Sequence, residues 1–446
     1  MSLGHATRTL KVDARHWMRA GHGTAAEARI RRALIDDPPW TEGWVLYHDL
    51  LGLKRGRSGV DPLRTSMARR AWVVDARDGH ARRLMGTLAF ESGRFDLAAR
   101  HLRVALSNHP SPATAWLFAR SLLRLDDRVT AAWFARRARR MPALRATALT
   151  MMACFSLRRG RGGAAMALLD RVRRCDVRTL PTGAAAVLTR AEIRQVPGID
   201  RAALLGQLGL GLAALKLPAS APPGPVLAVS GDRRYIATFL DRYLDSVRTA
   251  APDMPVHAHV VGPIDRRDAV EIMDRVDAVT QDTSPIDMNR TYFTVSRFLW
   301  LPEIARAWGR AILMTDIDAT LAADPRPVLA ALPPHAVACR LADHDLPWER
   351  TQVTALYLPA DDRAITLADH FAAALAARLV DGPLPYYSDQ AVLWSLTRSG
   401  AYGPIADLTV GAWLRPADQG GVPAKLREMG RVSAGPSADC IPPVRG

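Results

Sequence analysis

Residues 311–320 read AILMTDIDAT, an apolar run that ends abruptly in Asp316-Ile317-Asp318. The run predicts a short buried strand giving way to a loop. Alternation along that strand sends Asp316 and Asp318 to one side and anchors Ile317 in the core. Aspartates at such junctions often only cap the next helix. Two of them on a tight turn are also hard oxygen donors of the kind that hold Mg²⁺ or Mn²⁺. The surrounding sequence has to decide between cap and metal site.

Four more runs have the same character: PVLAVS (225–230), PVHAHVVG (255–262), AVACRLA (336–342) and VTALYLP (353–359). Helical segments separate the early ones: TFLDRYLDSVRTA, RRDAVEIMDRV and VSRFLWLPEIARAW. Strands alternating with helices predict a mostly parallel sheet covered on both faces, with ligands bound at the carboxyl ends of its strands. Asp316 and Asp318 lie at one of those ends.

The first half of the chain has a different period. In residues 80–110, Gly86, Ala89, Gly93, Phe95, Ala98, Leu102, Ala105 and Pro110 follow the spacing of a tetratricopeptide repeat, in which small residues let two antiparallel helices approach closely. Ala71 and Ala76 stand 34 residues before Ala105 and Pro110, and Trp17, Gly21, Ala26, Ile30, Ala33 and Pro38 suggest an earlier unit. A later copy runs through Ala131, Ala135 and Ala138, with weaker helical pairs around 145–175 and 183–215. Residues 1–216 therefore read as an all-α tetratricopeptide-like solenoid, 217–224 (LPASAPPG) as a linker, and 225–446 as an α/β domain.

Charge divides the same way. Residues 1–220 hold 38 Lys+Arg against 17 Asp+Glu, a net +21, while the remainder holds 22 against 27, a net −5. The basic half suits an acidic partner, a nucleic acid or an anionic membrane surface, although a solvated helical face is the simplest reading. Nucleic-acid binding rests on charge alone, without a stacking-aromatic or groove-reading motif. Cys154, Cys175, Cys339 and Cys440 are scattered, which argues against zinc and disulfides. Neither a secretory signal nor an apolar run long enough to span a bilayer is evident, so the expected location is the cytoplasm.

The segment RFLWLPEIARAWGRAILMTDIDATLAADPRPVL resembles the nucleotide-sugar glycosyltransferases of GT-A fold, and is most similar to the retaining group that includes glycogenin and the bacterial lipopolysaccharide galactosyltransferases. Arg297, Leu301-Pro302, Asp316/Asp318 and Asp324-Pro325 occupy the places of that group's arginine, Leu-Pro helix, Asp-x-Asp and following break. The likeness spans about residues 225–400. It implies a GT-A-like (Rossmann-like) catalytic domain that transfers a sugar from a nucleotide diphosphate donor, such as a UDP-sugar, to an unknown acceptor. Asp316 and Asp318 would hold Mn²⁺ or Mg²⁺, and Arg297 would sit beside the phosphates. Asp232 and Tyr235 match positions that meet the nucleobase and ribose. Asp389 and Gln390, in YYSDQAVLWSL, match the Asp-Gln element at the donor sugar and reacting centre. The solenoid would recruit a protein or glycan acceptor.

One departure stands out. The group often has a late histidine as third metal ligand, within His-x-x-Gly-x-x-Lys-Pro-Trp. Here the comparable LTVGAWLRPADQGG has Trp413, Arg415 and Asp418 but no histidine, which leaves three alternatives: Arg415 holds a phosphate, Asp418 is the third metal ligand, or metal affinity is low. Asp343 and Asp345 are candidates for the acceptor side, and no histidine of the domain is assigned to chemistry. The alternative reading is a repeat scaffold carrying a catalytically degenerate transferase-like domain. Surface turn and helix N-terminus are the plain structural readings of Tyr235 and of Ser388-Asp389-Gln390.

Overall fold

The computed structural model describes residues 9, 11–14, 16–17, 23–55, 62–176, 183–218, 224–283, 290–342, 344–382, 384–385, 387–398, 402–403 and 405–415. The chain divides into two compact units, Met1–Phe155 and Ser156–Gln419.

In the first unit, after helical residues at 9, 11–14 and 16–17, come α1 Gly23–Asp36, α2 Thr41–Arg55, α3 Pro62–Val74, α4 Gly79–Glu91, α5 Phe95–Asn108, α6 Pro112–Leu125, α7 Arg128–Ala138 and α8 Pro142–Arg158, which runs past the boundary. Local chemistry sets their ends. Asp78, Ser111 and Asp127 cap α4, α6 and α7 with side-chain oxygens, and Pro112 opens α6 where no amide hydrogen is needed. The small residues act as their spacing predicts: a Cβ on Gly86 of α4 would lie 2.6 Å from Leu102 Cγ of α5. Ala33, Ala71, Ala98, Ala105 and Ala138 are all buried. Consecutive helices from α1 to α7 pack in turn, and α4 also touches both α2 and α6, which places α2, α4 and α6 in one layer and α1, α3, α5 and α7 in the other.

The second unit continues with α9 Gly162–Val172, α10 Arg190–Gln195 and α11 Arg201–Gln207, then β1 Leu212–Lys216, β2 Val226–Asp232, α12 Arg233–Ala250, β3 Val256–Val261, α13 Arg266–Met273 and β4 Ala278–Asp282. After these come α14 Arg290–Leu299, α15 Leu301–Trp308, β5 Ile312–Thr315, β6 Thr320–Leu321, α16 Arg326–Ala330, β7 Ala338–Leu341, α17 Pro347–Arg350, β8 Thr351–Leu358, α18 Asp362–Asp381, α19 Ser388–Thr397, β9 Ala406–Asp407 and β10 Leu414–Arg415. The main sheet has the order β1-β4-β3-β2-β5-β8-β7-β9, and β6 pairs with β10 in a second, small sheet.

Three expectations need correction. The sheet is mixed rather than mostly parallel: β4-β3-β2-β5 and β7-β9 pair parallel, while β1, and β8 with both its neighbours, pair antiparallel. The unit also begins earlier than residue 225. Leu188, Val196, Leu205 and Leu210 lie in its core, the Leu188 amide donates to Ser395 Oγ at 3.0 Å, and β1, read as solenoid helix, is an edge strand along β4. LAALK is too short for its periodicity to separate strand from helix, and Gly209, at φ +67°, breaks the preceding helix. Finally, VSRFLWLPEIARAW is two helices, divided at Trp300 and reopened by Pro302 in the first turn of α15.

The first three parallel strands step one way across the sheet, and the chain then returns past β2 to β5. With right-handed crossovers this puts α12 and α13 on one face and α14 and α15 on the other. The carboxyl ends of β2 and β5 adjoin where the direction reverses, which is where open α/β sheets form their ligand crevice.

Candidate active site

At that crevice β5 ends at Thr315 and the chain turns. The Asp316 amide donates to Thr354 O on β8 at 3.1 Å, and the Ala319 amide donates back to Asp316 O at 3.1 Å. The turn ends the strand's alternation, so the expectation that both carboxylates face the same way does not hold. Asp316 Oδ1 accepts from Arg297 Nη1 on α14 at 2.6 Å. Asp318 Oδ2 accepts from the Tyr235 hydroxyl on α12 at 2.5 Å. Ile317 is buried as anticipated. The two acids are thus held by helices that cover opposite faces of the sheet.

Arg297, 8% exposed, stands in the last turn of α14. It also donates from Nη2 to Val353 O at 3.2 Å, and its Nε finds no hydrogen-bond partner among the described residues. Asp389 lies in the same field. Its carboxyl is buried and pushed up to about 6, first by loss of hydration and then by Asp316, against the pull of Arg297 and of the Gln390 amide. That amide donates to Asp389 Oδ1 at 2.8 Å, so the carboxylate sits inside the first turn of α19 and is not its cap. Tyr387, the residue before α19, is left-handed at φ 68°, a strained setting for a side chain of its size, and it turns Asp389 into the protein. Gln390 Oε1 is buried without a hydrogen-bond partner among the described residues.

On the other side of the crevice Asp232 caps α12, accepting from the Tyr235 amide at 2.6 Å. Asp232 is thus a helix cap rather than part of a plain surface turn, while Tyr235 packs on Phe239 at 4.7 Å and reaches the strand-end turn. Arg415 is exposed on β10, opposite Thr320 and two residues beyond Asp318 in register. Trp413 is buried, with Nε1 donating to Leu408 O at 3.3 Å. Asp345 is buried beyond β7, and Asp343 and Asp418 lie outside the described residues.

The sequence did not single out Arg242, whose Nη2 donates to Asp318 O at 3.3 Å, or Tyr243, whose hydroxyl meets Thr315 Oγ1 at 2.8 Å. Their offsets from Tyr235, seven and eight residues along one helix, were the available signal.

The donor set, as held, does not fit a divalent cation. Asp316 is neutralised by a guanidinium, Asp318 already accepts from a phenol, and no group of three His, Cys, Asp or Glu side chains able to hold a metal occurs among the described residues. The cations at this turn are Arg297, paired with the Asp316 carboxylate, and Arg242, donating to Asp318 O. The histidines are elsewhere: His257 and His259 are buried on β3.

No family model and no curated protein matches the chain. Solved structures similar to it include tetratricopeptide-repeat proteins and glycosyltransferases. One is YrrB, a tetratricopeptide-repeat protein described as having an unusual peptide-binding site, at 16% identity over 36% of this chain and 81% of its own, TM-score 0.30. A mutant O-GlcNAc transferase of Thermobaculum terrenum overlaps at 15% identity over 69% of this chain, TM-score 0.25, and the bifunctional glycosyltransferase WbbM at 13% over 44%, TM-score 0.32. The chain spans 45% and 40% of those two proteins' lengths. A helical unit followed by a mixed α/β unit is the architecture. Among the described residues no helix is long and apolar enough to cross a membrane.

Proposed function

We propose that the α/β unit is a GT-A-type glycosyltransferase that takes a sugar from a nucleotide diphosphate donor seated between the carboxyl ends of β2 and β5. The observation that carries this reading is the convergence of Arg297, Asp316 and Asp389 at the strand reversal. In glycosyl transfer the bond from the anomeric carbon to the phosphate oxygen breaks, leaving negative charge on the departing diphosphate and positive charge on the sugar ring. A buried guanidinium with one unsatisfied N–H supports the first charge, and the nearby carboxylate supports the second. Gln390 Oε1, a buried acceptor, suits a sugar hydroxyl. The nucleoside would lie along Asp232 and Tyr235, and Arg415 would approach the phosphates from β10. The helical unit would recruit a protein or glycan acceptor.

Calorimetric titration of the full chain with a panel of nucleoside diphosphates, with and without chelator, followed by hydrolysis and transfer assays on the matching sugars, tests this. One diphosphate should bind with chelator present, Arg297→Met should weaken it about 100-fold, and Arg297→Lys should restore part of the loss. The engaged state of both aspartates favours a second reading, a non-catalytic scaffold. Absence of binding by every diphosphate, with or without manganese, would leave that one standing.

A further inference from the structure

One residue type recurs at one place in the four helices of one layer, α1, α3, α5 and α7. Arg31 of α1, Arg69 of α3, Arg103 of α5 and Arg136 of α7 each stand two residues before the buried alanines Ala33, Ala71, Ala105 and Ala138. All four arginines are exposed. The burial of those alanines fixes the helix faces, so the four guanidinium groups line up along the outside of one layer. Arg69, Arg103 and Arg136 have no ion-pair partner among the described residues, and Arg31 reaches Glu27 only at 4.0 Å, with its side chain 65% exposed. A helix that only needed solvation would pair its charges along its own face, as Arg100 and Asp96 do at 2.9 Å on α5.

We propose that this arginine row docks the protein on an anionic bilayer surface. The residues one helical turn further on are Ile35, Val73, Ser107 and Arg140, all exposed, with Ile35 at 70% and Val73 at 81%. On α7, Val129, two turns before Arg136, is 82% exposed. Cations interleaved with bare aliphatic side chains suit the headgroup boundary, where the charge meets phosphate and the branched side chains meet acyl chain. A nucleic acid would need stacking platforms, and this row has no aromatic residue. The neighbouring hollow lined by Arg100, Arg103, Phe118 and Leu125 measures about 210 Å³, below the usual size of a small-molecule site, so the row is a surface rather than the rim of a pocket. The inference is independent of the transferase reading.

Flotation of the full chain with vesicles of phosphatidylcholine alone, or with added phosphatidylglycerol, tests it. The chain should float only with the anionic vesicles and be released by salt. The fourfold variant Arg31→Gln/Arg69→Gln/Arg103→Gln/Arg136→Gln should bind about 100-fold more weakly. A variant of equal charge with Arg77, Arg94, Arg128 and Arg145 changed to Gln should lose only a few-fold. The pairs Arg31/Arg69 and Arg103/Arg136, changed separately, should each lose part, and circular dichroism verifies that every variant is folded. Equal losses in the two fourfold variants would reduce the effect to net charge. That result would overturn the proposal, as would failure of the wild-type chain to float with anionic vesicles while it binds poly-glutamate or RNA.

Discussion

Two clusters of polar side chains sit on the same sheet and have opposite characters. Along β3 and β4 a chain of contacts runs from Trp308 Nε1 to His257 Nδ1 at 3.0 Å, from His257 to Thr280 at 2.8 Å and from Thr280 to His259 at 3.0 Å. It ends at Asp282, which accepts from the Gly262 amide at 2.7 Å and the Tyr292 hydroxyl at 2.9 Å. Its acids and bases are held in the states that bonding favours. Burial, then neighbouring His259, pushes His257 down to about 3; Asp282 stays below the usual carboxylate range because His259, Gly262 and Tyr292 outweigh its loss of hydration. Within that network only His259 Nε2 lacks a hydrogen bond among the described residues, standing 3.7 Å from Asp282 Oδ2. At the end of β5 a carboxyl is pushed up and two polar groups, Arg297 Nε and Gln390 Oε1, are left without hydrogen-bond partners among the described residues. Satisfied networks stabilise a fold, and unsatisfied ones hold interaction in reserve for a ligand.

The largest expected effect breaks the satisfied cluster. Asp282→Ala removes the acceptor of the Gly262 amide and of the Tyr292 hydroxyl and the charge beside His259, and should cost about 3–5 kcal/mol of stability in a denaturant titration of the full chain. A loss below about 1 kcal/mol would erase the distinction between the clusters.

The opposite sign is expected at the strand end. Asp389 has a folded-state pKa of about 6 against an ordinary 3.8, so its protonated form favours the fold. That contribution is fully present below pH ~4 and is lost as pH rises through about 6. Asp389→Asn should therefore stabilise the protein by about 2–3 kcal/mol at pH 8, with the gain vanishing below pH ~4, while removing the proposed transfer activity. His257 works the other way. Its stability is present above pH ~6.5 and is lost as acidification approaches about 3. Between pH ~4 and ~6 the two groups oppose each other, so the asparagine variant should show a steeper acid loss than the parent. Parallel stability–pH curves for parent and variant would show that Asp389 is not held out of its ordinary range.

Much of this was legible in the residues. Helical spacing and small residues identified the paired helices, and all five apolar runs are strands, because uninterrupted branched and aliphatic residues bounded by turn formers leave little choice. The run at 278–282, AVTQD, was missed because its polar residues face the buried network, and β6, β9 and β10 are two-residue strands that carry no pattern of their own. For the site, the sequence named Arg297, Asp316, Asp318, Tyr235 and Asp389: Arg297 pairs with Asp316, Tyr235 donates to Asp318, and Asp389 lies in the field of the first pair. It misjudged their pairing, because a strand's period was carried two residues into a turn. Arg242 and Tyr243 stayed hidden because a polar residue facing a partner on another element looks, in sequence, like any residue on a helix surface.

The smallest change tests why the aspartates do not form a cation site. Tyr235→Phe keeps the ring against Phe239 and deletes only the hydroxyl that Asp318 accepts at 2.5 Å. Asp318 is 3% exposed and would lose one charge-assisted bond, so stability should fall by about 1 kcal/mol, with the guanidinium of Arg242 close enough to the turn to limit the loss. The informative readout is nucleotide binding with manganese or chelator. In the parent chain, chelator should leave diphosphate affinity unchanged, because Arg297 supplies the positive charge. In the phenylalanine variant Asp318 regains an oxygen donor, and manganese should begin to strengthen diphosphate binding. If chelator instead abolished binding in the parent, the hydroxyl and guanidinium contacts would be those of a resting site that a metal displaces, and the division between a satisfied core and a poised strand end would move from Arg297 to the two aspartates.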